Sequence, residues 1–320
     1  MFLHCSENPI VAQLGFRFWD PVSNAQIADG LEVTARTVYY YSRKVKAFQT
    51  PSGNYVFQGL PGLHDFEYPF NDNSNHSNRK EMKFIIAVKD NQHRFLPFAF
   101  LFKEEIPLEY TGIYRNNIFT ELNPASPPEA GLPVIYLYSS PTRQLKPGLA
   151  VVRCQLKDYS TKNSASHAFI EINIKGKKWF GMANDKGNAA VYFPFPTVDN
   201  TFFNTSPPMS ASKSLFEQKW PLSISFKYSP GLLRDLPAIS REEFDPERLE
   251  GKPLPDLSSI ISQRRAHILI NGSETSIGAT AVFELNEQLA YGQEVVLRTY
   301  KDTDKDNGSD LFIEADPTSP

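Results

Sequence analysis

The residues of this chain that could do chemistry are scattered along it. Six histidines are present, but none has the His-Glu-x-x-His spacing or the Cys-x-x-Cys neighbours that indicate zinc. The nearest local partners are His64 with Asp65, and His93 with Asp90. Such pairs are typical of turns, and a zinc site would need ligands from distant strands, so we expect no metal. The histidines are His4, His64, His76, His93, His167 and His267.

Carboxylates and nucleophiles form no catalytic pattern either. Glu104-Glu105 and Glu242-Glu243 are adjacent carboxylates, but neighbours on a strand point to opposite faces, which favours solvated groups. Cys5 and Cys154 lack a local catalytic signature, and the chain has no Gly-x-Ser-x-Gly elbow. Neither glycine-rich phosphate-binding spacing occurs. We therefore expect no enzyme activity, no catalytic residues and no cofactor.

Aromatic residues near the N-terminus could stack on sugar rings. In β-sandwiches, however, alternating aromatic residues more often fill the core, and we favour that role. Tyr55 and Phe57 alternate with Asn54, Val56 and Gln58, which predicts that both rings face inward and the other three side chains outward. The full set is Phe16, Phe18, Trp19, Tyr39, Tyr41, Tyr55 and Phe57.

The elements that must position these side chains are β-strands. The chain has 24 Phe, 14 Tyr and only 4 Met, and this bias, with 25 Pro and 17 Gly, favours short strands joined by turns. A chain of 320 residues exceeds one ordinary sandwich and suffices for two or three domains. The net charge of −3 and basic clusters as short as Arg264-Arg265 argue against nucleic-acid binding.

The N-terminal sequence and the cysteines predict a cytoplasmic origin. The start, MFLHCSENPIVAQLGFRFWDP, has no basic region followed by an apolar run, so no signal peptide is expected. The longest apolar candidate, FLPFAFLF at 95–102, is only as long as a strand, so we expect no membrane insertion. Two distant cysteines favour reduced thiols.

Strand and turn signals divide the chain into two modules. The Pro-rich stretch NPASPPEAGLP at 123–133 is typical of a linker. We predict a β-sandwich with its following strands at 1–122, and a second β-rich module at 134–320. Helical signals are confined to SREEFDPERLEGKPLPDLSSIISQRR, which predicts a short helical insertion near 240–265. The predicted fold class is mainly β, with two or more sandwich modules.

The segment FWDPVSNAQIADGLEVTAR, with the later FQTPSGNYVFQGLPGLHDFEY, resembles a known β-sandwich. It is similar to the transthyretin-type sandwich of carboxypeptidase regulatory-like domains over about residues 16–70. This resemblance implies a fold and no activity, because such modules carry no catalytic set. The matching positions are Asp20, Asn24, Gly30, Val33, Ser52, Gly53, Tyr55, Phe57, Leu60 and Pro61.

Four later segments carry a second resemblance, which spans nearly the whole chain. They are YLYSSPTRQLKPGLAVVRCQLKD at 136–158, KKWFGMANDKGNAAVYFPFP at 177–196, EQKWPLSISFKY at 217–228 and LAYGQEVVLRTYKD at 289–302. Together they resemble proteins encoded in gene clusters of extracellular contractile injection systems. These systems are phage-tail-like particles with a sheath, an inner tube, a baseplate and a distal cap. The shared motifs are structural, so the resemblance transfers no active site.

The second resemblance implies a non-catalytic structural subunit of such a particle. We expect a ring-forming adaptor of six-fold symmetry between the tube or sheath end and the terminal cap. Its partners would be tube, sheath and cap proteins, and the particle would be assembled in the cytoplasm and then released or retained. One alternative is a baseplate or spike-associated component of the same particle. A carbohydrate- or surface-binding module is an alternative of another class.

The terminal segments are the contacts that we expect from sequence for such a subunit. Both the start of the chain and its end, VVLRTYKDTDKDNGSDLFIEADPTSP, flank strands. We expect these segments to reach neighbouring subunits, and residues 304–320 to be removable without loss of either sandwich core.

Overall fold

The structure is a computed structural model with side chains. It describes residues 13–38, 44–61, 82–104, 134–196, 218–236, 253–270, 280–299 and 310–316. Over these residues the chain is mainly β, with several sheets and one short α-helix, which confirms the predicted fold class. The predicted linker at 123–133 lies outside these ranges, and the division into modules 1–122 and 134–320 stays a prediction.

The N-terminal sandwich is built from antiparallel strands in two facing sheets. One sheet has the order β1-β7-β6 and the other the order β5-β4-β8-β9, while β2 and β3 form a small sheet with β10. The strands are β1 (Gln13–Phe16), β2 (Phe18–Asp20), β3 (Ala25–Gln26), β4 (Leu31–Thr37), β5 (Val45–Lys46), β6 (Phe48–Gln49), β7 (Tyr55–Gln58), β8 (Met82–Asp90), β9 (Phe98–Glu104) and β10 (Ile135–Tyr136).

Aromatic rings fill the space between these sheets. Phe16 of β1 meets Phe57 of β7 edge-on, with ring centroids 6.2 Å apart. It also meets Phe100 and Phe102 of β9 edge-on, at 5.5 and 5.7 Å. Phe57 is fully buried and Tyr55 almost so, which confirms that both face inward, but Val56 between them is buried as well and not on a polar face as predicted. Phe16, Phe18, Tyr55 and Phe57 therefore pack the core, where edge-on rings bury large apolar areas with favourable electrostatics. Trp19 is half-buried, and Tyr39 and Tyr41 lie outside the described residues.

The segment 44–50 differs from its sequence pattern. KVKAFQT predicts one strand, whereas the structure divides it into β5, which pairs with β4, and β6, which pairs with β7. Ala47, between them, is buried and donates its backbone N–H to the Val33 carbonyl oxygen at 2.9 Å. The chain therefore passes from one sheet to the other at Ala47, whose small side chain is buried in the core between the sheets.

The second sandwich packs two larger sheets over a separate apolar core. One sheet has the order β14-β11-β22-β18-β19, with β21 also paired to β11, and the other has the order β13-β12-β15-β20. The strands are β11 (Leu149–Asp158), β12 (Phe169–Ile174), β13 (Lys177–Met182), β14 (Asn188–Pro194), β15 (Lys219–Lys227), β18 (Ala266–Ile270), β19 (Thr280–Val282), β20 (Leu285–Ala290), β21 (Val295–Leu297) and β22 (Asp310–Ala315). The core residues that are fully buried include Leu156, Ile172, Ile224, Phe226, Ile268 and Leu311.

The position of β22 corrects the expectation for the C-terminus. This strand lies between β11, to which it is parallel, and β18, to which it is antiparallel. Leu311 and Ile313 are fully buried in the core of the second sandwich. The prediction that residues 304–320 can be deleted from a folded protein is therefore wrong, since the deletion would remove an interior strand of the sheet.

A short segment of the second module covers the N-terminal sandwich. It contains a 3-10 turn (Pro230–Leu232), the paired strands β16 (Asp235–Leu236) and β17 (Leu254–Pro255), and helix α1 (Leu257–Ile261). Of the predicted helical insertion near 240–265, the structure describes residues 253–265, which contain one short helix; residues 240–252 lie outside the described ranges. The helix begins at Asp256, whose carboxylate accepts the Ser258 N–H at 3.1 Å.

This cover protects an edge strand. Asp256 forms an isolated parallel bridge with Ala99, at the edge of β9. Leu236 and Leu254 pack on Ile85 and Ala99, on the outer face of the same sheet. Because an exposed strand edge invites pairing with other chains, the cover ties the two halves of the chain together and closes this edge.

Two glycines with the same backbone conformation provide a test of turn packing. Gly187 and Gly176 have φ of +77° and +78°, in the region that disfavours side chains. A Cβ on Gly187 would collide with the Leu156 carbonyl oxygen, whereas a Cβ on Gly176 would meet nothing within 4 Å. The two positions therefore share backbone strain and differ in steric contact.

We predict that Gly187→Ala destabilises the protein more than Gly176→Ala. The Gly176 variant should lose only about 1–2 kcal/mol of unfolding free energy through left-handed strain. The Gly187 variant should lose about 1–3 kcal/mol more, because backbone has to move away from the new methyl group. Urea unfolding of both variants measures this, and equal losses would show that the Leu156 contact is not tight.

Candidate functional site

A buried ion pair joins strand β2 to the segment that leads from β10 into the second sandwich. Asp20, at the end of β2, receives two hydrogen bonds from the guanidinium of Arg143, which lies in the SSPTR segment after β10. Arg143 Nη2 is 2.7 Å from Asp20 Oδ2, and Nη1 is 3.1 Å from Oδ1. Nη1 also donates to Ser139 Oγ at 2.8 Å. The planar guanidinium thus binds the carboxylate in the bidentate geometry that gives strong, directional pairs.

Asp20 remains ionised in this setting. Burial alone would raise the pKa of its carboxyl, since the Asp20 side chain is only 3% exposed. Hydrogen bonds and charge from Arg143 outweigh that effect, helped by Ser23 Oγ at 2.7 Å and the Val22 N–H at 3.0 Å. The net result is a pKa below its ordinary value of 3.8, so the pair is charged at neutral pH.

Aromatic rings enclose the Arg143 guanidinium. Its central carbon lies 5.1 Å from the ring centre of Phe95 and 5.8 Å from that of Tyr192. The Tyr192 hydroxyl donates to the Arg143 carbonyl oxygen at 2.7 Å. Cation–π contact and hydrogen bonding therefore hold both the side chain and the backbone of Arg143.

An apolar contact completes the connection between the halves. Val22, in the turn after β2, packs with Val151, Ala190 and Tyr192 on the outer face of the β14-β11 sheet. Parallel pairing of β10 with β2 fixes the segment that leads to Arg143 on the N-terminal sandwich, through bonds such as the Leu137 N–H to the Trp19 carbonyl oxygen at 2.9 Å. We call this set of contacts the joint; its central residues are Asp20, Val22, Arg143 and Tyr192.

Arg153 extends the joint toward the surface. Its Nε donates to Glu294 Oε2 at 3.1 Å, and its Nη1 donates to the Pro141 carbonyl oxygen at 2.8 Å. Its Nη2 donates to the Tyr192 hydroxyl at 3.2 Å. One guanidinium thus links strand β11, the SSPTR segment, strand β14 and the YGQE turn.

A groove of about 330 Å³ lies next to Glu294. Its walls are residues 145–149, Val151, Phe195 and residues 291–294. The rings of Phe195 and Tyr291 lie 4.8 Å apart, and Trp220 is 6.0 Å from Phe195. Leu145, on the rim, is 50% exposed. This mixture of aromatic floor and exposed aliphatic rim suits contact with another protein surface.

Parts of three of the four segments quoted above for the second resemblance meet at the joint and the groove, whereas the fourth, 217–228, contains strand β15 of the other sheet. The segment 136–158 supplies Arg143, residues 145–149 and Arg153. The segment ending in FPFP supplies Phe195, and YGQEVVLRT supplies residues 291–294. In sequence these segments are separated by tens of residues, so their convergence on one region is a result of the fold.

Most of this site was not identified by sequence reasoning. Asp20 and Arg143 each lie within a motif, but no spacing signal relates residues 123 positions apart. Leu145, Phe195 and Glu294 have no signal of their own, because an apolar or charged residue in a turn is common. The alternation of apolar and polar residues along a strand predicts which side chains face inward. It does not predict which turns, far apart in the sequence, lie next to each other on the surface.

The histidines named from sequence do not assemble a reactive site among the described residues. His93 donates its backbone N–H to the Asp90 carbonyl oxygen at 3.1 Å, while the Asp90 carboxylate binds Arg94 Nε at 3.1 Å. Burial lowers the pKa of His167, whose Nδ1 is buried without a hydrogen-bond partner. His267 stacks on Phe283, with ring centroids 4.3 Å apart.

The remaining candidates are unreactive or outside the described ranges. Burial raises the pKa of the Cys154 thiol to about 12, which makes its thiolate scarce. Within the eight described ranges, no group of three or more His, Cys, Asp or Glu is placed to hold a metal ion. No helix in those ranges is long and apolar enough to span a membrane. The residues outside them are His4, Cys5, His64, Asp65, His76, Glu105, Glu242 and Glu243.

Comparisons with known proteins identify no family. No family model matches the sequence, and no curated protein matches it. Among solved structures, the shaft pilin SpaA of Lactobacillus rhamnosus GG is 9% identical, with 70% of this chain and 90% of that chain covered and a TM-score of 0.20. A C-terminal fragment of the pilus adhesin SpaC from the same organism is 9% identical, with 94% and 96% covered and a TM-score of 0.21. Scores this low establish no shared fold, and they support no conclusion about this chain.

We predict that Arg143→Met destabilises the protein by about 3–5 kcal/mol at pH 7, because it leaves the Asp20 carboxylate buried without its cation. The double variant Asp20→Asn/Arg143→Met should recover most of this loss, since it removes the buried charge. Urea unfolding at pH 7 measures both values. A single variant as stable as wild type would show that the pair does not hold the joint.

We predict how the difference in unfolding free energy between wild type and Arg143→Met changes with pH. In wild type the pKa of Asp20 is lowered in the folded state. Its ionised carboxylate therefore contributes fully to the unfolding free energy above about pH 4, and this contribution is lost as pH falls through the pKa of Asp20 in the folded protein. In Arg143→Met, unopposed burial raises the pKa of Asp20, so that variant is stabilised by protonation as pH falls. The gap between wild type and Arg143→Met should therefore shrink between pH 7 and pH 4. A gap that is constant or widens would contradict this assignment.

Proposed function

We propose that this protein is a non-catalytic structural subunit of a contractile injection particle. In this proposal it is a ring-forming adaptor between the end of the tube or sheath and the terminal cap. The observation that supports the proposal is that parts of three of the four resembling segments lie at the joint and the groove, on the neighbouring strands β14, β11 and β21 and the turns next to them.

The joint suits a part that sets geometry. A subunit between two rings has to hold its modules at one angle, or the rings will not stay in register. A bidentate pair requires a defined direction of approach between carboxylate and guanidinium. Together with the Val22 contact and the Tyr192 hydrogen bond to Arg143, it restrains rotation as well as separation of the two sandwiches.

The groove suits a contact that is repeated around a ring. Its apolar area is small, so one copy alone would bind a neighbour weakly. A tube end presents identical subunits in a circle, and several weak contacts acting together give strong attachment through high effective concentration. We propose that tube, sheath or cap proteins occupy the groove, and that assembly takes place in the cytoplasm.

We predict that Leu145→Glu abolishes incorporation into particles while leaving the protein folded. Leu145 is 50% exposed on the groove rim, so a charge there costs little in the free protein but prevents apolar contact. The matched control is Leu232→Glu, at a leucine that is 38% exposed in the 3-10 turn, away from the groove lining. Incorporation is measured by immunoblotting of purified particles from cells that carry each variant.

Two results of this experiment, and one of immunogold labelling of particles, would count against the proposal. Normal incorporation of Leu145→Glu would contradict the role of the groove. Equal loss with Leu232→Glu would show that any surface charge is harmful. Immunogold label at the baseplate end would contradict the cap position and favour the baseplate component named above.

A further inference from the structure

Three exposed lysines border the groove, and two of them adjoin its lining directly. Lys146 belongs to the groove wall, next to the rim at Leu145. Lys219, the first residue of β15, is paired with Ala290, which directly precedes Tyr291 of the groove lining. Both lysines are exposed, so the wall and the neighbouring strand each present a positive charge to solvent beside the groove.

The packing of β13 on β14 places the third lysine. Trp179 of β13 stacks on Phe193 of β14, with ring centroids 6.1 Å apart. Gly181 packs against the β14 side chain two residues before Phe193, so the two strands run in opposite directions. The same order, continued to two residues before Trp179 and two after Phe193, brings the exposed Lys177 beside Phe195 of the groove lining. The groove lysines are Lys146, Lys177 and Lys219.

The acidic side chains of the same elements are already engaged. The Glu294 carboxylate, in the groove wall, accepts a hydrogen bond from Arg153 Nε at 3.1 Å. Glu287 of β20 lies on the core side of its sheet, opposite Leu222, and has a contact within the fold. The groove lysines make no ion pair within the described part of the chain. Because the whole chain has a net charge of −3, this positive charge is a local feature of the groove.

We infer that the groove binds an acidic segment of a neighbouring protein. Aspartate or glutamate side chains of that segment contact the groove lysines, around an apolar side chain that lies on Phe195 and Tyr291. Complementary charge of this kind speeds encounter and rejects wrong partners. Three lysines around an apolar floor do not form the longer basic stripe that nucleic acid requires. The inference rests on the proposed role of the groove as a partner surface, adds the charge of that partner, and leaves the joint unchanged.

The sign of a charge on the groove rim tests this inference in particles. Leu145→Lys and Leu145→Glu remove the same apolar side chain and add a charge at the same 50% exposed position. An acidic partner attracts the lysine and repels the glutamate, so Leu145→Lys should be incorporated at least about 3-fold more than Leu145→Glu. Equal loss of both variants would overturn the inference and leave the role of the groove standing. Normal incorporation of both would contradict the role of the groove, and the inference with it.

Peptide binding to the isolated full-length protein tests the same inference without a particle. The probe is a blocked hexapeptide with Leu-Phe at its centre and aspartate and glutamate on both sides. Its uncharged counterpart carries asparagine and glutamine at those positions. Nuclear magnetic resonance shifts of the Gly292 amide, in the groove lining, report binding. The acidic peptide should bind at least about 10-fold more tightly than its counterpart, as expected for several exposed charge contacts acting together.

A triple variant assigns this preference to the groove lysines. Replacing all three by glutamine should weaken binding of the acidic peptide about 10-fold, because the opposite charges are lost. The matched control changes the net charge equally, at three exposed lysines outside the groove lining, and should bind as tightly as wild type. The two variants are Lys146→Gln/Lys177→Gln/Lys219→Gln and Lys46→Gln/Lys178→Gln/Lys186→Gln.

Several results of the peptide assay would overturn the inference. They are equal binding of the acidic and uncharged peptides, equal weakening in the two triple variants, and an unchanged Gly292 signal with the acidic peptide. A short oligothymidine that binds the groove more tightly than the acidic peptide would assign the groove lysines to phosphate groups, and would overturn it as well. Since this assay needs no particle, its failure would leave the incorporation test of the proposed function untouched.

Discussion

A carboxylate and a guanidinium that are 123 positions apart in the chain hold this molecule in its arrangement. Removing two charges from water is costly, and a buried pair returns that cost only when its geometry is good and its remaining hydrogen bonds are made. Asp20 and Arg143 meet both conditions, through the bidentate contact and through Ser23, Ser139 and Tyr192. The pair adds little net stability compared with an apolar contact, but it accepts only one orientation of the two halves.

The other connections between the halves are consistent with that orientation. The β16–β17 cover reaches the edge and the outer face of the N-terminal sheet, and Val22 packs on the outer face of the second sandwich. Both contacts require the same relative position of the two sandwiches. The groove lies where the second sandwich approaches the joint, so a neighbour bound there would be placed at a defined angle to the N-terminal module. That arrangement suits a part whose role is to position other subunits.

The local features of the fold could be predicted from the sequence, and the long-range ones could not. Alternation predicts the inward faces of Tyr55 and Phe57, because pleated strands place every second side chain on the same side. The segment KVKAFQT reads as one strand, since no local signal marks Ala47 as a crossing between sheets. The final strand is predictable, but its interior place between β11 and β18 is not, because strand order depends on contacts between distant residues. Arg143 and Asp20 each belong to a motif that the sequence shows, but the two motifs are different ones. Their pairing could therefore not be predicted from either motif.

The central claim is that this chain is a structural subunit whose joint sets the angle between its modules within a contractile particle. The most direct test is an electron cryo-microscopy map of intact phage-tail-like particles from cells that express the chain. The account predicts a ring of density at the cap end that fits the described residues, with Asp20 and Arg143 in contact and the groove facing a neighbouring subunit. A map in which all density is assigned to other proteins, or in which the two sandwiches have separated at the joint, would contradict it.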